Sequence, residues 1–202
     1  SINLNGESLL KYTIDTLKKS KYIDEIIVST DNQKTINLAN KLGAKCPFIR
    51  PKRLSAPHIN LETVQQFSLN ELEKKSFFYD LIVHIEETFP FRPKNFIDEM
   101  INYFLKNGLN TLVATKNEPK PIWREKNHGS FERFDLGDIP REFKEKTYVG
   151  LPGLGLITYP ELVRKLNIFQ KKTGFYEIKS PIASVEVRNK KEMDIAKKLL
   201  KS

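Results

Sequence analysis

The sequence predicts an α/β protein: a three-layer body with a mostly parallel sheet, helices on both faces and a β-hairpin excursion. Three observations predict it. Over the first 115 residues, short apolar β-type runs alternate with helical patterns. Two of the runs end abruptly in polar groups, Ser29-Thr30-Asp31 in one and Glu86-Glu87-Thr88 in the other. From about residue 116 to 148 the alternation loosens, and Pro and Gly interrupt short β pieces. Polar groups presented where buried strands end are how open α/β sheets build ligand sites, so these ends predict a pocket along one sheet edge.

The elements follow in order. Residues 9–20 read as an amphipathic helix, with Leu10, Ile14 and Leu17 at helical spacing and Lys18 and Lys19 in the last turn. Residues 23–29 read as a strand, and 33–42 as a helix stopped by Gly43. A short strand over 45–49 is closed by Arg50 and Pro51. A helix over 61–74 carries Val64, Phe67, Leu69 and Leu72 as its apolar set. The central strand is 79–85, followed by a helix over 94–107 that Gly108 stops, and by a strand over 112–115. The excursion 116–148 holds Trp123, Phe131 and Phe134, aromatics that a solvated tether would not need, and 130–134 reads as a hairpin strand. Strands at 153–158, 173–178 and 183–187 and helices at 160–166 and 190–200 complete one domain over 1–202.

Composition narrows the function classes. The 202 residues hold 39% hydrophobic side chains, enough for a proper core, and no apolar run approaches the roughly 18–20 residues of a membrane span. One cysteine, Cys46, excludes an internal disulfide and a zinc ribbon and reads as structural. No signal peptide is visible, so a cytoplasmic protein is expected. The net charge of +9 comes from lysines scattered over helix faces, without a basic run interleaved with aromatics. It favours small anions such as nucleotides and acidic sugars over nucleic acid. His58, His84 and His128 have no metal-ligand spacing, and His84 reads as a structural strand histidine.

Several segments, in order, carry a resemblance. Residues 2–9 read Ile-Asn-Leu-Asn-Gly-Glu-Ser-Leu, residues 26–32 Ile-Ile-Val-Ser-Thr-Asp-Asn, and residues 48–54 Phe-Ile-Arg-Pro-Lys-Arg-Leu. Residues 86–92 read Glu-Glu-Thr-Phe-Pro-Phe-Arg, and 180–196 close the series. Together these resemble the CMP-sugar synthetases, cytidylyltransferases that activate N-acylneuraminate and related acidic sugars. The resemblance implies a Rossmann-like nucleotidyltransferase fold and transfer of CMP from CTP to a nonulosonic acid, with Mg²⁺ as cofactor. It also implies a homodimer formed through the excursion, with no nucleic-acid or membrane partner.

The same resemblance assigns candidate residues. Glu86 and Arg92 stand at the catalytic strand end; Arg92 either folds over the pocket or pairs with Glu86 or Glu87. Arg50, Thr88, Ser29 and Asp31 fall at nucleotide-binding positions, although Ser29 and Asp31 read first as N-caps of the next helix and Thr88 has a cap as its alternative reading. Arg124, Tyr148 and Phe169 fall near the acidic sugar, with Arg133 and Arg141 as further carboxylate clamps and Trp123 as packing. Glu186 falls in the family's Asp-x-Asp metal pair.

Three departures accompany these matches. The chain opens after the place of the family's Gly-Gly-Ser-Lys-Gly loop, so an earlier natural start is expected. Glu86 replaces a glutamine, and a carboxylate accepts hydrogen bonds without donating. Arg188 replaces the second aspartate, and an arginine binds phosphate or carboxylate rather than a cation. A second reading is therefore a family member that lost catalysis and serves as a nucleotide- or sugar-binding or regulatory module. A third is a glycosyltransferase, with Glu86-Glu87 in place of its acidic pair.

Overall fold

The computed structural model describes residues 3–134, 139–143 and 145–200, without the side chains of His128 and Arg141, so those two candidates lie outside the described side chains. The chain opens with a short antiparallel ribbon, β1 (Asn3–Leu4) and β2 (Glu7–Ser8), turned by Asn5 and Gly6 at positive φ. Ser8 caps α1 (Leu9–Leu17) by accepting from the Lys11 amide, and Leu9, Leu10, Ile14 and Leu17 are buried. Next come α2 (Gln33–Lys41), α3 (Leu61–Glu73), β3 (Ile82–His84), α4 (Phe96–Lys106) and β4 (Thr111–Asn117). The excursion contains the hairpin β5 (Trp123–Glu125) and β6 (Phe131–Arg133). The chain then forms β7 (Tyr148–Gly150), β8 (Leu156–Thr158), α5 (Pro160–Arg164), β9 (Thr173–Glu177) and α6 (Lys190–Leu199).

The central sheet has the order β3-β8-β4-β7, with β9 also pairing β4. It has helices on both faces, as expected. On one face α4 packs Phe96, Met100 and Phe104 against Leu112, Ala114 and Ile157. On the other, Leu69 of α3 and Val163 of α5 cover Val113 and Leu156.

The sheet is mixed rather than mostly parallel. β3, β4 and β9 share one direction, while β8 and β7 run against them. The reason is the excursion. The chain leaves the sheet at the end of β4 and returns at the same edge, so its next strands must run backwards.

Two expected strands differ in form. Residues 23–29 and 45–49 meet only in a parallel bridge between Ile27 and Lys45. Val28 N donates to Lys45 O at 2.9 Å, and Lys45 N to Ile26 O at 2.8 Å. Pro47 then removes the donor that a longer ladder would use. The expected strand at 183–187 begins instead in a 3₁₀ turn over Pro181–Ser184. Pro181 fixes the local φ, and Ala183 N bonds back to Ser180 O at 3.1 Å. The chain is extended again at Val185, and Val187 donates its amide to Thr88 O at 2.8 Å, which brings this stretch to the site.

Candidate active site at the end of the third strand

Beyond β3 the main chain stays tied to the sheet, with Glu86 N donating to Gly153 O at 2.7 Å. Pro90 and Pro93 then stiffen a turn whose Phe89 is buried. Arg92 sits inside this turn and is only 9% exposed. Its Nε donates to Leu154 O at 3.0 Å, and Nη1 donates to Phe89 O at 2.6 Å and Thr13 Oγ1 at 3.3 Å. Nη2 donates to Glu86 O at 2.7 Å and Gly153 O at 2.8 Å. Burial pushes the guanidinium pKa down to about 9, and the Glu86 charge opposes that fall. Neither sequence reading of Arg92 describes this arrangement: it neither lies over a pocket nor pairs with a carboxylate. It joins two loops by their carbonyls and orders the site from below.

Above it lies a charged cluster. Arg188 Nη2 reaches Glu86 Oε2 at 3.2 Å, and its Nε bonds to Glu186 Oε1. The Thr88 hydroxyl is 3.3 Å from Glu86 Oε2 and 3.4 Å from Glu186 Oε1. Glu86 is held below the ordinary carboxylate range, first by His84 and then by the charge of Arg188. His84 Nε2 lies 4.0 Å from Glu86 Oε1, beyond hydrogen-bond distance, and it is buried without a hydrogen-bond partner among the described residues. Arg188 is pushed above its usual value, mainly by its bond to Glu186. Glu87 makes no hydrogen bond to this group among the described residues. It is half-buried, its Oε2 has no partner there, and burial pushes its carboxyl up.

Magnesium was expected at Glu186. Mg²⁺ demands near-octahedral oxygen coordination at close range. Glu86, Glu186 and Thr88 supply oxygens, but the Arg188 guanidinium already bridges the two carboxylates. Among the described residues, no three His, Cys, Asp or Glu side chains gather so as to hold a metal. The residues, as arranged, do not fit the ion.

The nucleotide candidates form a second group. Arg50 N donates to Thr30 O at 2.9 Å, and Arg50 Nε is buried without a hydrogen-bond partner among the described residues. Ser29 Oγ accepts from Ser68 of α3 at 3.0 Å. The cap of α2 is Asn32, whose Oδ1 accepts from Lys34 N and Thr35 N, so neither Ser29 nor Asp31 takes that role. Asp31 instead lines a shallow open hollow of about 400 Å³ with Asn32, Gln33, Lys34 and Lys52.

The sugar candidates are not gathered around Glu86. Arg124 pairs with Glu132 across the hairpin. Trp123, expected as packing, is 59% exposed, with Arg133 over its ring. The Tyr148 hydroxyl lies 3.3 Å from Glu177 Oε2 and its ring stacks on Phe175. Phe169 is exposed at the opposite sheet edge. Its neighbour Ile168 accepts through its carbonyl from Thr111, at the start of β4, whereas Glu86 lies past the end of β3.

Sequence reasoning missed one close approach at the site. Arg188, expected to bind phosphate or carboxylate in place of the second aspartate, meets two carboxylates, and its position two residues from Glu186 puts both on one side of an extended chain. Gly153 gave no signal. A Cβ there would lie 2.8 Å from Glu86 Cδ and from Phe89 Cε2, so only glycine lets the two loops close.

A mixed sheet between helices, with carboxylate and hydroxyl groups at a strand end, defines an α/β protein with a polar strand-end site. Two solved structures share the fold. A 4-diphosphocytidyl-2C-methyl-D-erythritol synthase from Anaerococcus prevotii superposes with a TM-score of 0.71 at 14% identity, covering 100% of this chain and 92% of that one. A CMP:2-keto-3-deoxy-manno-octonic acid synthetase complexed with CTP gives 0.67 at 11% identity, covering 99% and 90%. The family model described as Cytidylyltransferase matches residues 2–127, and the chain belongs to that family. Among its relatives is a pseudaminic acid cytidylyltransferase of Campylobacter jejuni, 31% identical over 123 residues, which cover 61% of this chain and 53% of that protein. The N-acylneuraminate cytidylyltransferase A of Danio rerio is 24% identical over 189 residues, 91% of this chain and 43% of that protein. The chain thus spans about half the length of the Campylobacter protein it matches.

Proposed function

We propose that this chain is the sheet and site of a CMP-sugar synthetase that transfers CMP from CTP to a nonulosonic acid and releases pyrophosphate. The observation that carries this reading is the family match over residues 2–127, which takes in both polar strand ends. A sugar hydroxyl oxygen attacks the α-phosphorus, the bond to the β-phosphate oxygen breaks, and the electron pair leaves with pyrophosphate. The hydroxyl proton passes to solvent.

In this reading Arg50 and Asp31 flank the nucleotide. Thr88 and the ionised Glu86 hold hydroxyl groups of the reactants. Arg92 sets the loop that carries both. The hairpin, with Trp123, Phe131 and Phe134 exposed, is the surface for a second copy of the chain. Among the described residues no helix is long and apolar enough to cross a membrane. A cytoplasmic location and small-molecule rather than nucleic-acid partners belong to the same proposal.

A second reading, a binding module without turnover, is favoured by one observation: both carboxylates at the strand end are already paired with Arg188. Pyrophosphate release from CTP, assayed on the complete natural protein with a panel of nonulosonic and ketodeoxy sugars, separates the two. Release with one sugar supports the synthetase. Nucleotide binding without release from any sugar supports the module.

A further inference from the structure

We propose that the Arg188 guanidinium takes the place of a divalent cation between Glu86 and Glu186, closes that pair to metal ions, and presents a fixed positive charge to the nucleotide phosphates. The phosphate part rests on the nucleotide-binding reading above; the exclusion of metal does not.

The geometry carries the argument. Two carboxylates from distant parts of the chain, with the Thr88 hydroxyl touching both, make an oxygen set of the kind hard cations select. Left alone, two such carboxylates repel, and one of them takes up a proton. Here they converge without that penalty, because Nη2 of Arg188 meets one and Nε meets the other. Glu86 is accordingly held in its ionised form, with the Arg188 charge among the causes.

The guanidinium is held from the main chain too. Arg188 N and Asn189 N both donate to Glu192 Oε2, at 2.6 and 3.1 Å, so the residue is anchored at the start of α6. The Val187 amide on Thr88 O, at 2.8 Å, ties the same stretch to the strand end. The side chain is nevertheless 61% exposed, and its Nη1 makes no hydrogen bond among the described residues. A planar fork with one nitrogen open to solvent is suited to a phosphate oxygen. The arginine therefore neutralises the acidic pair from one side and offers a donor from the other. A bound dication would do both.

Two measurements test this on the full chain. The first is Mn²⁺ binding followed by electron paramagnetic resonance. The native protein is expected to show no site at Mn²⁺ concentrations that saturate Arg188→Asp. That variant gains a site, and Arg188→Asp combined with Glu186→Gln loses it. Mn²⁺ binding by the native protein that Glu186→Gln removes overturns the proposal, and so does an Arg188→Asp variant as silent as the native chain. The second is titration of CTP in excess EDTA. Native protein binds, and Arg188→Ala binds about tenfold more weakly, as expected for one charge-assisted hydrogen bond. Equal affinities overturn the phosphate role. If native protein binds no CTP with or without Mg²⁺, the proposed function fails while the Mn²⁺ result still decides the exclusion of metal. Thermal melting shows that each variant remains folded, and Arg188→Lys, with the charge but not the fork, should fall between native and Arg188→Ala in CTP affinity.

Discussion

Arg92 grips Glu86 by its main chain, Nη2 to O at 2.7 Å, and leaves the carboxylate of that residue to others. One buried cation thus sets where the acidic side chain begins, and a second, exposed cation sets where it ends. The division separates stability from chemistry and yields distinct expectations for each.

Arg92→Ala should destabilise the fold strongly. It strands the carbonyl oxygens of Glu86, Phe89 and Leu154 and the Thr13 hydroxyl in a buried turn, while Gly153 O keeps the Glu86 amide. Leaving such groups without a partner costs about 1–3 kcal/mol each where water cannot reach them. A loss of at least about 3 kcal/mol in urea unfolding is expected, with Arg92→Lys recovering only part because it lacks the fork. A midpoint within error of the native protein would remove the structural role.

Gly153→Ala places a methyl group 2.8 Å from atoms of both Glu86 and Phe89. Phe89 is 3% exposed and packed in the main core, so the loop has to move instead. Overpacking of this kind costs about 1–3 kcal/mol, read as a lowered melting temperature. Because Glu86 shifts with the loop, CTP affinity should fall in the same variant. Unchanged melting and binding would show that the loops tolerate separation.

Glu87→Gln should stabilise the protein at neutral pH. Burial raises the folded-state pKa of Glu87 above its unfolded value. The cost of holding the charged form is therefore fully present above the folded pKa and disappears as pH falls through the unfolded one. The variant's advantage should shrink on acidification. Glu86 has the opposite sign: its folded pKa is lowered, so its contribution is present above the unfolded pKa and is lost as pH falls through the folded one. Urea midpoints measured from pH 7 down to about 3 test both slopes.

Phe131→Glu on the hairpin should shift the protein to monomer if the exposed aromatics meet a second copy. Phe131 is 66% exposed and Phe134 is 65% exposed, so monomer stability should change little. Sedimentation over a range of concentrations reads the result. A native protein that is monomeric throughout would dismiss the dimer.

Much of the fold was legible because hydrophobic period and helix stops are local. Leu10, Ile14 and Leu17 marked α1, and Gly43 and Gly108, both at positive φ, follow the helices they were expected to end. The direction of β8 was not legible, since it depends on where a 33-residue excursion returns, which residue pattern does not encode. At the site, Glu86 and Thr88 could be found because an apolar strand stops at them. Their partners Glu186 and Arg188 lie about a hundred residues away and were suggested only by resemblance. Arg92 was located correctly beside the strand end, but its inward orientation follows from the carbonyls of 153–154, which no local signal announces.

The capping box at the start of α6, with Asn189 accepting from Glu192 N and Glu192 accepting in return, has a consequence for how this surface can diversify. It fastens the Arg188 amide from the helix side, while the Val187 amide on Thr88 O holds the same stretch from the strand side. An acidic substitution at residue 188 alone therefore reverses the charge that faces both carboxylates without touching the packed layers beneath.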